Sequence, residues 1–184
     1  LFIPLTYKDQ FEKISKKIGF RRVISYQADH EFIEHYYGFD VDSSKFVHIH
    51  VYFKIVTGEH MSKNYILPLE KYLIDNQDAT QILPIINDKG KRSIFLIRYF
   101  LKIGSIYGIA QYLREKDKYS LEWKSFKEID CYEDIPELNL SSEELNYFEK
   151  VYESSSLFKL ILISIDLKKK LIKFRRRTYF QLLI

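Results

Sequence analysis

The chain reads as an α+β protein: a small mixed β-sheet with a flanking helix, followed by a mainly helical C-terminal half. Three observations carry this reading. Strand-like runs gather before residue 58 and helix-spaced runs after it. The stretch from His35 to Lys54, HYYGFDVDSSKFVHIHVYFK, alternates on either side of a polar turn, Asp40-Val41-Asp42-Ser43-Ser44, as a β-hairpin does. Further on, Leu140-Ser141-Ser142-Glu143-Glu144-Leu145 carries a capping box, Ser141 with Glu144, inside a hydrophobic staple, Leu140 with Leu145. The least patterned link, Thr57 to Lys63, divides the chain into an α/β part over 1–58 and a helical part over 59–184.

The elements follow in order. Leu1-Phe2-Ile3 is a short buried-strand signal ended by Pro4. Thr6 is a helix N-cap residue type, Tyr7, Phe11, Ile14 and Ile18 recur at helical spacing, and Gly19 closes the helix. Arg21 to Tyr26 reads as a strand, and Glu31 to Phe39 with Phe46 to Val56 as the hairpin. Pro68 suits the start of a helix reaching Ile74, and Gln81 to Ile86 reads as a short extended segment. Ser93 to Ile103 is apolar almost all round, so it predicts a buried helix. Gly104 separates it from a helix over Ser105 to Lys116, with an amphipathic stretch near Leu121, Trp123 and Phe126. A last long helix starts near Ser156, with Leu160, Ile163, Leu167, Leu171 and Phe174 as its apolar stripe.

Composition narrows the function classes. At 46% hydrophobic and 16% aromatic residues, 184 residues can build a core. A net charge of +4 does not by itself point to nucleic acid. One cysteine, Cys131, rules out an internal disulfide and predicts a reducing, cytoplasmic setting. The most apolar run, Leu157 to Ile165, is too short for a bilayer, which needs roughly 20 residues. The six glycines stand singly, so neither a Walker A loop nor a dinucleotide fingerprint is present, and there is no Gly-x-Ser-x-Gly. Cys131 stands among Asp130, Glu133 and Asp134, where negative charge disfavours a nucleophilic thiolate.

The chemistry-bearing residues gather in the hairpin. All five histidines lie between positions 30 and 60. His48 and His50, two apart on a strand, share a face. If Asp40 pairs with Lys45, His35 sits opposite His50, and three imidazoles stand together. Imidazole is a ligand for zinc, copper and iron, so His35, His48 and His50 form a candidate metal set. The plain alternative is a set of partly buried, hydrogen-bonded strand residues. Asp40 and Asp42 fit either a cation site or an Asx turn. Lys63, in Lys63-Asn64-Tyr65, is either a phosphate contact or a solvated loop lysine. Seven of the ten residues from Lys168 to Arg177 are basic. They predict a helix that docks by its apolar stripe or that lies on an anionic membrane or other polyanion.

Two segments carry a family resemblance: Gly38-Phe39-Asp40 to Phe53, with its strand Val47-His48-Ile49-His50-Val51, and Lys63-Asn64-Tyr65-Ile66-Leu67-Pro68. Together they resemble nucleotidyltransferase-like proteins of bacterial surface-polysaccharide gene clusters, which are similar in fold to the polymerase-β superfamily. The likeness covers roughly positions 1 to 103. It implies metal-assisted nucleotidyl transfer from a nucleotide to a small acceptor, Mg²⁺ as cofactor, and a fused or associated kinase-like domain. The superfamily's paired aspartates would fall just before Leu1, and His48 would stand where a third carboxylate usually does. A neutral imidazole there supplies no negative charge to hold Mg²⁺. The resemblance places His48 and His50 as candidate catalytic residues lining the cleft, His35 or Tyr37 as a neighbour, and Lys63 and Tyr37 as substrate contacts. A nucleotide- or protein-binding module of the same fold, and a His-ligated metalloprotein, are the alternatives.

Overall fold

A computed structural model describes residues 1–24, 30–58, 63–78, 85–154 and 156–176. The chain divides into two compact units, Leu1–Val56 and Thr57–Ile184. Small antiparallel sheets and a set of helices make up the fold.

The first unit is built on a three-stranded antiparallel sheet in the order β1 (Arg21–Val23), β2 (Ile33–Asp40), β3 (Lys45–Tyr52). The expected hairpin register is the observed one: Asp40 pairs with Lys45 and His35 with His50. The turn chemistry explains it. Asp40 accepts hydrogen bonds from the Asp42 amide at 3.3 Å and the Ser43 hydroxyl at 2.5 Å, and Ser44 takes a left-handed conformation at φ 53°. The Ser43 hydrogen bond, ahead of the two backbone amides, holds the Asp40 carboxyl below its ordinary pKa. Phe2 bridges Tyr52 in parallel, with the Ile3 amide on the Tyr52 carbonyl at 2.9 Å and the Tyr52 amide on the Leu1 carbonyl at 2.8 Å.

Helix α1 (Lys8–Lys17) covers one face of this sheet. Phe11 meets Tyr36 edge-on at 5.2 Å and Phe53 at 6.5 Å, and Ile3, Phe20 and Ile49 close the core around Tyr36, Val51 and Phe53. Two expectations for α1 fail. Thr6 does not cap it; Leu5–Tyr7 form a 3-10 turn after Pro4, and the helix starts one residue after Tyr7. Of the expected stripe only Phe11 is packed, while Tyr7, Ile14 and Ile18 stay exposed, because the buried line runs through Phe11 and Ser15 instead. Gly19, at φ +90°, does close the helix, and the Phe20 amide reaches the Ser15 carbonyl at 2.9 Å in a Schellman pattern. Phe20 then lies flat over Gly38, where a Cβ would stand 2.8 Å from the ring.

The sheet also corrects some boundaries. The strand read from Phe46 to Val56 bends at Phe53-Lys54 and resumes as β4 (Ile55–Thr57). Of the run Arg21 to Tyr26, positions 25 and 26 lie outside the described residues.

The second unit contains β5 (Tyr65–Leu67), α2 (Glu70–Asp75), a two-residue ribbon of β6 (Gln77–Asp78) with β7 (Ile85–Ile86), and helices α3 (Asp88–Ile103), α4 (Ile106–Lys124), α5 (Ser142–Ser154) and α6 (Leu157–Lys170). The expected extended segment Gln81 to Ile86 contributes β7, and positions 81–84 lie outside the described residues. Helix α3 is the centre. It is buried nearly all round, as its apolar surface predicts, and packs against α4, α5 and α6. Asn87 caps it, accepting from the Gly90 amide at 2.8 Å.

At the other end Gly104 permits the close approach of α6, since Ser164 and Lys168 occupy the space a Cβ would take. The Ser164 hydroxyl donates to the Phe100 carbonyl at 2.6 Å. Ser105 caps α4 through the Gly108 amide at 3.0 Å. The helix read as ending at Lys116 continues, across a break at Glu115, to take in the Trp123 stretch. The capping box forms reciprocally: the Glu144 amide donates to the Ser141 hydroxyl at 3.2 Å and the Ser141 amide to Glu144 at 2.9 Å, with Leu140 and Leu145 both buried.

Candidate functional site: the open face of the β1–β2–β3 sheet

Alternation along the strands sorts their residues onto two faces. Register places Glu34, Tyr36 and Gly38 with Ile49 and Val51 on the face that α1 covers. It places His35, Tyr37 and Phe39 on the other, beside Phe46, His48, His50 and Tyr52, with Arg21 opposite Tyr37 and Val23 opposite His35. This second face is open. His48 is exposed, Tyr37 is 39% and Phe46 77% exposed, and His35 and His50 are half-buried.

The rings on this face form a continuous ladder. Tyr37 and His48 stack with centroids 4.4 Å apart and planes 6° from parallel. His35 stacks on His48 at 5.2 Å and lies 4.2 Å from His50, and His50 reaches Tyr52 at 5.1 Å. At the hairpin tip Phe39 and Phe46 meet edge-on at 5.3 Å. His35 Nδ1 lies 3.0 Å from His48 Nε2, where one imidazole donates and the other accepts. The structure therefore brings together His35, Tyr37, His48 and His50. Sequence reading missed Arg21, Phe39 and Phe46 as members of this face. The signal that reaches them is register: Arg21 faces Tyr37 across one strand pair, and Phe39 faces Phe46 across the other.

Lys63, expected as a phosphate contact, belongs to the second unit. It holds a left-handed backbone at φ 39°. Burial, and then the charge of Arg98, lower its pKa from the ordinary lysine value.

The face does not fit Mg²⁺. That ion takes oxygen ligands in octahedral geometry, whereas the open-face positions of β1–β3 supply imidazole, phenol, guanidinium and apolar groups and no carboxylate. Asp40 spends its side chain on its own turn. Among the described residues, no group of three His, Cys, Asp or Glu is arranged to hold a metal ion. The one carboxylate buried within β2, Glu34, faces the core. It accepts from Lys8 at 2.7 Å and from the Tyr36 hydroxyl at 2.7 Å, with Arg22 at 3.1 Å. Burial raises its pKa, but these two hydrogen bonds and the charges of Lys8 and Arg22 outweigh that and hold it below the usual carboxylate value.

Comparison of the chain with known protein families, curated proteins and solved structures finds no match.

Proposed function

We propose that the first unit is a nucleotide-binding domain of nucleotidyltransferase type, serving surface-polysaccharide or sugar-nucleotide metabolism, and that the base stacks on the Tyr37–His48 ladder. The observation that carries this reading is the exposed, near-parallel Tyr37–His48 pair on a rigid sheet face with Arg21 beside it. Every nucleobase offers a planar π-face, and base–aromatic stacking contributes about 1–3 kcal/mol per base. Arg21 adds a guanidinium with the fork geometry that meets phosphate. Because the face does not fit Mg²⁺, the reading assigns these residues to binding and routes no transfer step through them.

The test is titration of the protein with ATP, CTP, GTP and UTP, followed by calorimetry and by NMR of the Tyr37 and His48 rings. Binding that persists in EDTA and weakens about tenfold in Tyr37→Ala and in His48→Ala supports the reading. Binding that leaves both rings unperturbed, or no binding at all, sinks it. One observation favours a second reading. The 3.0 Å gap between His35 Nδ1 and His48 Nε2 suits two neighbouring ligands of one transition metal. Stoichiometric Zn²⁺ uptake that His35→Ala abolishes would replace the first reading with this one.

A further inference from the structure

The basic run at the end of the chain takes a form the sequence did not predict. Helix α6 ends at Lys170; Ile172–Phe174 form a 3-10 turn, and Arg175 is extended. Arg177 lies outside the described residues. Four of the five residues of the expected stripe are docked, with Leu160, Ile163, Leu167 and Leu171 buried, while Phe174, in the turn past the helix end, is only half-buried. A second apolar line, however, faces outward: Phe158 at 72% exposure, Leu162 at 46%, Ile165 at 40% and, past the helix end, Ile172 at 58%. Their spacing of four, three and seven keeps them on one side of a helix.

Charge borders this line. From Phe158 to Arg176 there are seven basic residues and a single acidic one, Asp166. Lys170 is neutralised by Glu144, at 2.6 Å from both carboxylate oxygens. Among the described residues, neither Lys169 nor Arg175 has a carboxylate within ion-pair distance. Both line a pocket of about 350 Å³ with Tyr65, Ile165, Lys168 and Ile172. The backbone holds this pocket in place: Arg175 bridges Tyr65 in antiparallel fashion, and the Arg176 amide donates to the Asn64 carbonyl at 2.7 Å. Cations fixed around an apolar floor, at one end of an exposed apolar line, complement a surface that is oily inside and anionic at its rim.

We propose that the outward face of α6 seats on an anionic phospholipid surface, with Phe158, Leu162, Ile165 and Ile172 entering the acyl boundary and a headgroup phosphate held among Lys168, Lys169 and Arg175. Apolar contact and electrostatic attraction act together in such binding, and salt screens the second. This inference concerns the second unit and stands apart from the nucleotide reading of the first.

The experiment is co-sedimentation of the full chain with phosphatidylcholine vesicles and with vesicles containing about 30% phosphatidylserine, a strongly anionic surface. Binding to the second only, falling as salt rises, is expected. Lys169→Ala with Arg175→Ala should lower the partition about 25-fold, at about fivefold for each basic residue lost near the surface. Phe158→Ser should lower it about tenfold through lost apolar contact. All three side chains are exposed, so circular dichroism should stay unchanged. Equal binding to both vesicles, no binding, or full binding by the double variant overturns the proposal. If inorganic phosphate shifts the NMR signals of Tyr65 and Arg175 while no vesicle binds, the membrane reading is also overturned, and the pocket belongs to a soluble phosphate ester.

Discussion

The two faces of the β1–β2–β3 sheet come from alternate residues of the same strands, yet they answer to different physics. On the α1 side, Glu34, Tyr36 and Val51 are buried, and the one carboxylate is surrounded by Lys8, Arg22 and a phenol. On the other side, Tyr37, His48 and Phe46 stand in solvent, Tyr37 stacked on His48 and Phe46 edge-on to Phe39. Neighbouring positions in β2 thus divide the labour: Tyr36 belongs to stability and Tyr37 to whatever the face meets. A one-residue slip in register would exchange the two roles, which is why the Asp40 turn matters beyond its own few atoms.

The largest expected effect tests that division directly. Tyr36→Ala should destabilise the first unit by about 3–5 kcal/mol, the range for truncating a large buried aromatic. Tyr37→Ala should cost less than about 1 kcal/mol, as surface changes do. Amide exchange across β2 is the measurement, because the single tryptophan, Trp123, is buried in the second unit and reports there. Equal losses at the two positions would erase the distinction between the faces.

Glu34→Gln comes next, at about 2 kcal/mol, since it leaves Lys8 and Arg22 facing a neutral amide. The pH dependence follows from its depressed pKa. The stability Glu34 contributes is fully present above the unfolded carboxylate value of about 4.3 and is lost as pH falls through the lower folded value. The variant should therefore flatten the acid limb of first-unit stability, and an unaltered limb would mean that the network contributes little.

A smaller effect of the opposite sign belongs to the second unit. Burial first, then Arg98, bring the Lys102 ammonium down to about 8, with Glu122 the opposing charge and Lys118 and Lys63 adding to the repulsion. Between that value and the unfolded value of about 10.4, the unfolded chain binds more protons, so stability should rise with pH, by about 3 kcal/mol at full linkage and by about 1 kcal/mol once solvent screening of this half-buried ammonium is allowed for. Below pH 8 this group adds no slope. Lys102→Met should remove the rise, as followed by Trp123 fluorescence in urea at pH 8 and pH 10. Glu34 is thus a buried charge that its neighbours satisfy, and Lys102 a half-buried one that they do not.

Much of this was legible in the residues. Period-two alternation around a turn rich in Asp and Ser fixes the hairpin register, because turn hydrogen bonds and strand pairing act over a few residues. The Ser141–Glu144 cap, the Gly19 stop and the Gly104 break are local for the same reason. The sequence also places His48 and His50 on one face. It does not say which face α1 covers, that Ile14 and Ile18 stay exposed, or that the last helix stops at Lys170. Those outcomes depend on contacts between residues far apart in the chain: Phe11 on Tyr36, Ser164 against Gly104, Arg175 beside Tyr65. Local hydrogen bonding and side-chain period are written in neighbouring residues, whereas the choice of what is buried is made only when distant segments compete for the same apolar surface.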